Sequence, residues 1–198
     1  MIKKANISHT QKIALIHQQE LKSGFLSLLG VQFLKDMYIM IIKQGILLVS
    51  VDELRIDGFV SFSPNTRRLM VGFLISNPMN FIRLFIQFFR HPVFLRKSLE
   101  TFLAPFKSSH RCNSESDLPS AELLSIGVES TIQKSGIGSQ LLMALESEIR
   151  GMGIGEYKVI AGVHLVSANN FYLKNGFTRV MQVTIHGNEL SNVYVKKL

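Results

Sequence analysis

Residues 121–140 read AELLSIGVESTIQKSGIGSQ. Ala121 to Val128 has the composition of a buried strand, and a short polar turn leads from it into a helix that starts at Gly136. A strand, a glycine-bearing turn and a helix N-terminus gather unpaired backbone N–H groups around one point, and the helix dipole adds partial positive charge there. The stretch reads as an anion cradle.

Two phosphate motifs are excluded for it. A P-loop needs Gly-x-x-x-x-Gly-Lys-Ser/Thr, whereas Lys134 and Ser135 here precede the glycines; a dinucleotide fingerprint needs a third glycine after Gly136-x-Gly138, where Leu141 stands. What remains is Gln133-Lys134-Ser135-Gly136-Ile137-Gly138 after a strand ending Ile126-Gly127-Val128. It resembles the pyrophosphate-binding motif of the GNAT acetyltransferase superfamily, Gln/Arg-x-x-Gly-x-Gly/Ala. The resemblance implies an acetyl-CoA-dependent enzyme that holds its cosubstrate with Ile126, Gly127, Val128, Gln133, Lys134, Ser135, Gly136, Ile137, Gly138 and Ser139.

The 198 residues suffice for one domain with a real core, residues 1–198, and are short for two. With 46% hydrophobic and 18% charged residues the chain is globular rather than disordered. A lone Cys112 rules out an internal disulfide or a cysteine metal cluster and points to a reducing, cytoplasmic setting. The first twenty residues lack the apolar core of a signal peptide. The longest apolar stretch, Leu69 to Phe89, is broken by Asn77, Pro78, Asn80 and Arg83, so no spanning helix is expected. The six histidines form no His-x-x-x-His pair, and no metal is expected. A formal charge of +8 suits nucleic acid, an anionic membrane surface or an anionic cofactor. No nucleic-acid motif and no Lys/Arg run longer than two supports the first.

Hydrophobic spacing predicts a first strand from Ile2 to Ile7. A helix capped by Ser8 with Gln11 follows, bearing Ile13, Leu15, Ile16 and Leu21 on its apolar face. A second helix carries Val31, Phe33, Leu34, Met37, Tyr38, Ile41 and Ile42 and stops at Gly45. Ile46 to Val51 and Ile56 to Phe62 read as antiparallel strands. Residues 64–118 read as an insertion with one helix over 78–90, opened by Asn77-Pro78, and another over 92–107. Beyond the cradle, Leu141, Leu142, Leu145 and Ile149 mark a buried helix face that Gly151, Gly153 and Gly155 end. Tyr157 to Val163 is a strand, Ser167 caps a short helix through Lys174, and Phe177 to Ile185 pairs with Leu190 to Val195. This order is mixed α/β and is similar to the GNAT-like α+β fold. That fold has a central, mixed, mostly antiparallel twisted sheet flanked by helices, here with a two-helix insertion between the third and fourth strands.

A second segment, Ala168-Asn169-Asn170-Phe171-Tyr172-Leu173-Lys174-Asn175-Gly176-Phe177, is similar to the family's Ala-x-x-Leu/Phe-Tyr-x-x-x-Gly-Phe. The resemblance makes Tyr172 the acid that protonates the departing coenzyme A thiolate, with Ala168 and Phe171 at the cofactor. One departure is Leu165, which stands where many members carry an asparagine against the pantetheine arm; Asn169 and Asn170 occupy other helix positions. The resemblance also assigns polarisation of the thioester carbonyl to the backbone N–H of Ile126. Glu122, eleven residues before Gln133, takes the place of the base in one branch of the family. Four strand residues span about 13 Å, so a water relay or a bulge has to link Glu122 to the chemistry. His164 and water are the other candidate bases.

The function read from these motifs is transfer of an acetyl group from acetyl-CoA to an amine by direct attack. The acceptor is a small molecule or a sugar nucleotide, with an amino sugar of surface-polysaccharide biosynthesis as the specific expectation and nucleic acid excluded. Two alternatives stay open: a protein N-terminal or lysine acetyltransferase, and a non-catalytic acyl-CoA-binding module. The Phe-rich 78–107 segment reads as a lid, as a foot on an anionic membrane surface, or as plain core. The chain is expected in the cytoplasm, membrane-associated on the second of those readings, as a monomer or homodimer.

Overall fold

Among the described residues the strands and α-helices follow one another as β1 (Ile2–Lys4), α1 (Thr10–Glu20), α2 (Val31–Gln44), β2 (Ile46–Asp52), β3 (Arg55–Ser63), α3 (Thr66–Ser76), β4 (Glu122–Val128), α4 (Ile137–Gly151), β5 (Glu156–Gly162), α5 (Val166–Lys174), β6 (Thr178–His186) and β7 (Glu189–Lys197). The computed structural model describes residues 1–22, 25–53, 55–76, 118–186 and 189–198. The expected helices over 78–90 and 92–107, and Cys112, lie outside them. The architecture is the mixed α/β one expected, and it falls into two compact units. One is Met1–Pro64 with Leu123–Gly155, the other Asn65–Glu122 with Glu156–Leu198.

In the first unit the strands lie in the order β1, β2, β3, β4. β1 and β3 pair antiparallel with β2, Val49 facing Phe59 and Leu48 facing Val60, with a register shift between Ser50 and Val51. Every residue of β2 but Asp52, and every residue of β3 but Arg55, is buried, because α1, α2 and α4 pack on these strands. α4 turns Leu141, Leu142, Leu145 and Ile149 inward, the predicted face, each leucine worth about 1.5–3 kcal/mol of burial. Glu129 N–H donates to Asp57 O at 2.9 Å just past the end of β4.

Two expectations for the N-terminus are corrected. β1 ends at Lys4, and the cap is Asn6 rather than Ser8: its Oδ1 accepts from Ser8 N–H at 3.1 Å while His9 Nδ1 accepts from Asn6 N–H at 3.2 Å. The reciprocal box therefore closes a 3-10 turn, Ile7–His9, that precedes α1. α1 also presents a different face: Thr10, Ile13, Ala14, Ile16 and His17 are buried, while Leu15 and Leu21 are half-buried. His17 sits at i+4 from Ile13, on the same stripe.

In the second unit β7 lies between β5 and β6, antiparallel to both, with Val159 and Arg179 facing Tyr194 from either side. Tyr157, Tyr172, Phe177 and Tyr194 form its aromatic core, with ring centroids 5.3 to 5.8 Å apart. α3 was not predicted as a helix. Asn65 opens it, its Oδ1 accepting from Arg68 N–H at 2.9 Å, and it buries only Leu69 and Phe73, four residues apart. A second correction falls on α5, whose N-cap is Leu165; Ser167 lies within the helix.

Candidate functional site

The predicted strand, turn and helix start form one continuous local structure. After β4, a 3-10 turn at Ser130–Ile132 leads through Gln133, Lys134 and Ser135 to Gly136, the N-cap of α4. Gly136 has φ +89°, the left-handed region, and a Cβ there would meet nothing within 4 Å, so glycine is needed for its backbone and leaves the approach open. Lys134 is left-handed too, φ 66°, at a cost of roughly 1–2 kcal/mol for a residue with a side chain. Residues 133–136 are exposed.

The side chains of this turn bind the turn itself. Gln133 Nε2 donates to Val128 O at 3.0 Å and to Glu20 Oε2 at 3.1 Å, and Glu20 Oε1 accepts from Ser130 N–H at 3.0 Å. Ser135 Oγ donates to Ile132 O at 2.6 Å. Lys12 pairs with Glu129 at 2.5 Å. What faces outward for an anion is backbone. In any α-helix the first amides, here Ile137, Gly138 and Ser139, have no intrahelical acceptor, and the first closing bond runs from Gln140 N–H to Gly136 O at 3.0 Å. An open glycine corner, three such amides and the positive end of a fifteen-residue helix fit a pyrophosphate.

Gly127, assigned to the cofactor from sequence, is also a packing residue: the Phe59 ring lies where its side chain would be. Leu123, Ser125 and Gly127 face the buried side of β4, and Glu122, Leu124, Ile126 and Val128 are half-buried on the other. Ser125 O accepts from Ser61 Oγ on β3 at 3.2 Å. The peptides of the described residues are trans. The N–H of Ile126, in the same peptide as that carbonyl, therefore points away from β3.

Sequence reasoning missed the polar groups behind that peptide. Ser61 Oγ and Ser125 Oγ are 2.6 Å apart, Ser125 Oγ and Tyr38 Oη 3.1 Å, and Tyr38 Oη and His17 Nδ1 2.5 Å, all buried. His17 stacks on Phe59 with an interplanar angle of 17°. Desolvation pushes His17 down to about 4 and pushes the Tyr38 phenol up, so both are neutral at pH 7. A serine inside the apolar run Leu123-Leu124-Ser125-Ile126 was the available signal.

In the second unit, Tyr172 is buried, its ring against Phe171, Phe177 and Tyr194 at 5.4 to 5.8 Å. Its hydroxyl makes no hydrogen bond among the described residues, and no side-chain oxygen closed off from water lacks a partner there. Tyr172 Oη is thus the point at which the ring reaches the surface. Desolvation raises its pKa, which keeps the proton on the phenol at neutral pH. Ala168 and Phe171, the other predicted contacts on α5, are half-buried.

Asn169 is the helix residue that sequence reasoning left without a task. Its Nδ2 donates to Gly162 O at 2.9 Å and to Leu165 O at 2.7 Å, and its Oδ1 accepts from Asn192 Nδ2 and Tyr194 Oη, both at 2.7 Å. It ties the end of β5, the start of α5 and β7 together. Glu122 is half-buried, and its Oε2 accepts from Thr66 Oγ1 at 3.0 Å. Desolvation raises its pKa, opposed by the Lys158 charge and the Thr66 hydrogen bond. His164 is exposed beyond the end of β5. Among the described residues no group of three or more His, Cys, Asp or Glu is arranged to hold a metal, and no helix is long and apolar enough to cross a membrane.

Residues 107–179 match the family model described as an acetyltransferase (GNAT) domain. The fold is similar to that of a ribosomal-protein-alanine N-acetyltransferase from Brucella melitensis, at 13% identity and a TM-score of 0.62, covering 100% of this chain and 99% of that one. It is similar to a PaiA N-acetyltransferase from Thermoplasma acidophilum in complex with coenzyme A, at 14% identity and a TM-score of 0.61, covering 100% and 98%. An agmatine N-acetyltransferase gives 14% identity and a TM-score of 0.67, covering 100% and 99%. At these identities the likeness establishes the fold. No curated protein matches the sequence.

Proposed function

For a chain that carries a GNAT acetyltransferase domain on the GNAT fold, we propose transfer of the acetyl group of acetyl-CoA to an amine by direct attack. The observation that carries this reading is the cradle: Gly136 in the left-handed region at the N-cap of α4, with exposed backbone after β4. The amides of Ile137, Gly138 and Ser139 take the pyrophosphate. The amine nitrogen then attacks the thioester carbon while the Ile126 N–H stabilises the oxyanion. The C–S bond breaks, Tyr172 hydrogen-bonds and protonates the thiolate, and a base removes the proton that the amine loses. Glu122 suits that base in one respect, since a raised carboxylate pKa brings it nearer the working pH.

For the acceptor, an amino sugar carried on a nucleotide remains the first choice, and the readings as a protein acetyltransferase or a non-catalytic acyl-CoA-binding module are the ones to exclude. Thermal stability measured with acetyl-CoA, CoA and ATP in parallel tests the cosubstrate, because a ligand bound only by the native state raises the midpoint. Acetyl-CoA and CoA should both raise it. Gly138→Val, which puts a side chain into the amide turn, should abolish both shifts while the fold persists. A panel of an amino-sugar nucleotide, agmatine, a peptide with N-terminal alanine and a lysine peptide then assigns the acceptor. Binding without turnover on any of them supports the non-catalytic reading instead.

A further inference from the structure

We propose that Ser61, Ser125, Tyr38 and His17 form a positioning relay for the peptide joining Ser125 to Ile126, holding and strengthening the Ile126 N–H as the donor to the thioester carbonyl. The inference rests on the acetyl-CoA reading above and adds residues to which that reading gives no task. Its first support is connectivity. The Ser61 hydroxyl, on β3, reaches the carbonyl of that very peptide at 3.2 Å, and the trans geometry sends the N–H to the opposite side.

The second support is proton bookkeeping. A carbonyl only accepts, so Ser61 spends its single proton on Ser125 O. Ser61 Oγ then accepts from the Ser125 hydroxyl at 2.6 Å, Ser125 Oγ accepts from Tyr38 at 3.1 Å, and Tyr38 Oη accepts from His17 Nδ1–H at 2.5 Å. Every hydroxyl is used once as donor and once as acceptor, in one direction, and the chain demands the neutral His17 tautomer with its proton on Nδ1. Such a chain polarises cooperatively toward its last acceptor. Electron density drawn onto the Ser125 oxygen leaves the Ile126 nitrogen more positive and its N–H a better donor. The relay is rigid as well, since His17 lies against the Phe59 ring and Tyr38 packs edge-on against the same ring, 5.3 Å between centroids.

The third support is economy of burial. Four polar side chains sit in the core of the first unit, where an apolar set would cost less desolvation. They meet at one point on β4. None of them faces the outer side of that strand, where Ile126 lies, so a direct role in binding is not theirs.

The test is the carbonyl stretching band of acetyl-CoA labelled with carbon-13 at the thioester carbon, read by difference infrared spectroscopy on bound wild type and bound Ser61→Ala. Wild type should lower the band relative to free acetyl-CoA. Ser61→Ala should move it back toward the free value and lower single-turnover transfer on the order of tenfold, short of the 10² to 10³ for losing an oxyanion donor outright. Its affinity for CoA, which has no carbonyl, should be unchanged. If Ser61→Ala does not fold, Tyr38→Phe, one step further along the chain, carries the same comparison with a smaller shift. A band equally lowered in wild type and variant overturns the relay and leaves the proposed function standing, as does a loss of CoA affinity matching the loss of rate. A wild type that binds neither acetyl-CoA nor CoA removes the proposed function, and the relay with it.

Discussion

The ring of Phe59 occupies the space that a side chain at Gly127 would need: a Cβ built on Gly127 comes within 2.9 Å of Phe59 Cε1. Phe59 cannot simply move aside, because its other contacts include His17 and Tyr38. Gly127→Ala should therefore cost about 1–3 kcal/mol through overpacking. Phe59→Leu should recover part of that cost in a double-mutant cycle followed by urea unfolding. Gly136→Ala provides the contrast, since it meets open space and its cost is conformational alone. Phe59→Leu should give Gly136→Ala no relief, and equal coupling with both glycines would disprove the packing argument.

Asn169 should contribute to stability through its hydrogen bonds. Asn169→Ala leaves Asn192 Nδ2 and Tyr194 Oη without their 2.7 Å acceptor, while the carbonyls of Gly162 and Leu165 lose the side-chain donor and keep the backbone N–H of Leu165 and of residue 169. An orphaned buried polar group costs about 1–3 kcal/mol, so the urea midpoint should fall markedly with the m-value unchanged. Asn169→Asp should be worse than Ala, because a carboxylate has nothing to donate to the two carbonyls it would face. A neutral Asn169→Ala would mean that these groups find water.

Stability should fall with acid through His17. Its folded pKa of about 4 lies below the ordinary 6.5, so between those values the unfolded chain binds the extra proton. The contribution is complete above pH 6.5 and declines as the pH drops, the loss reaching about 3 kcal/mol by pH 4. Carboxylates titrate in the lower part of the same window, so the comparison that isolates His17 is with His17→Gln. Urea unfolding at pH 7, 5.5 and 4 should show a flatter profile for that variant, and parallel profiles would place the acid sensitivity elsewhere.

Tyr172→Phe should separate chemistry from packing. The substitution keeps the ring contacts with Phe171, Phe177 and Tyr194 and removes a hydroxyl that has no hydrogen bond among the described residues. Thermal stability and CoA affinity should hold, while single-turnover acetyl transfer falls by about 10² to 10⁴. A transfer rate equal to wild type would show that the thiolate leaves unassisted and that Tyr172 only fills the core.

The sequence by itself determined those parts of this protein whose physics is local. The step from β4 through Gly136 into α4 involves neighbours in the chain, and its glycine, turn and apolar stripe at Leu141, Leu142, Leu145 and Ile149 carry their own backbone and burial preferences. The α2 stop at Gly45 was legible for the same reason. Tertiary structure alone decided where the polar groups in the core meet. Ser61 and Ser125 are 64 residues apart, Tyr38 and Ser125 87, and Asn169 and Tyr194 25. Hydrophobic period tells which face of an element is buried, but a hydroxyl or amide on that face is satisfied only by whatever another element brings opposite it. That is why the sequence assigned no task to His17 or Asn169, while in the fold both are buried and hydrogen-bonded within the unit to which they belong.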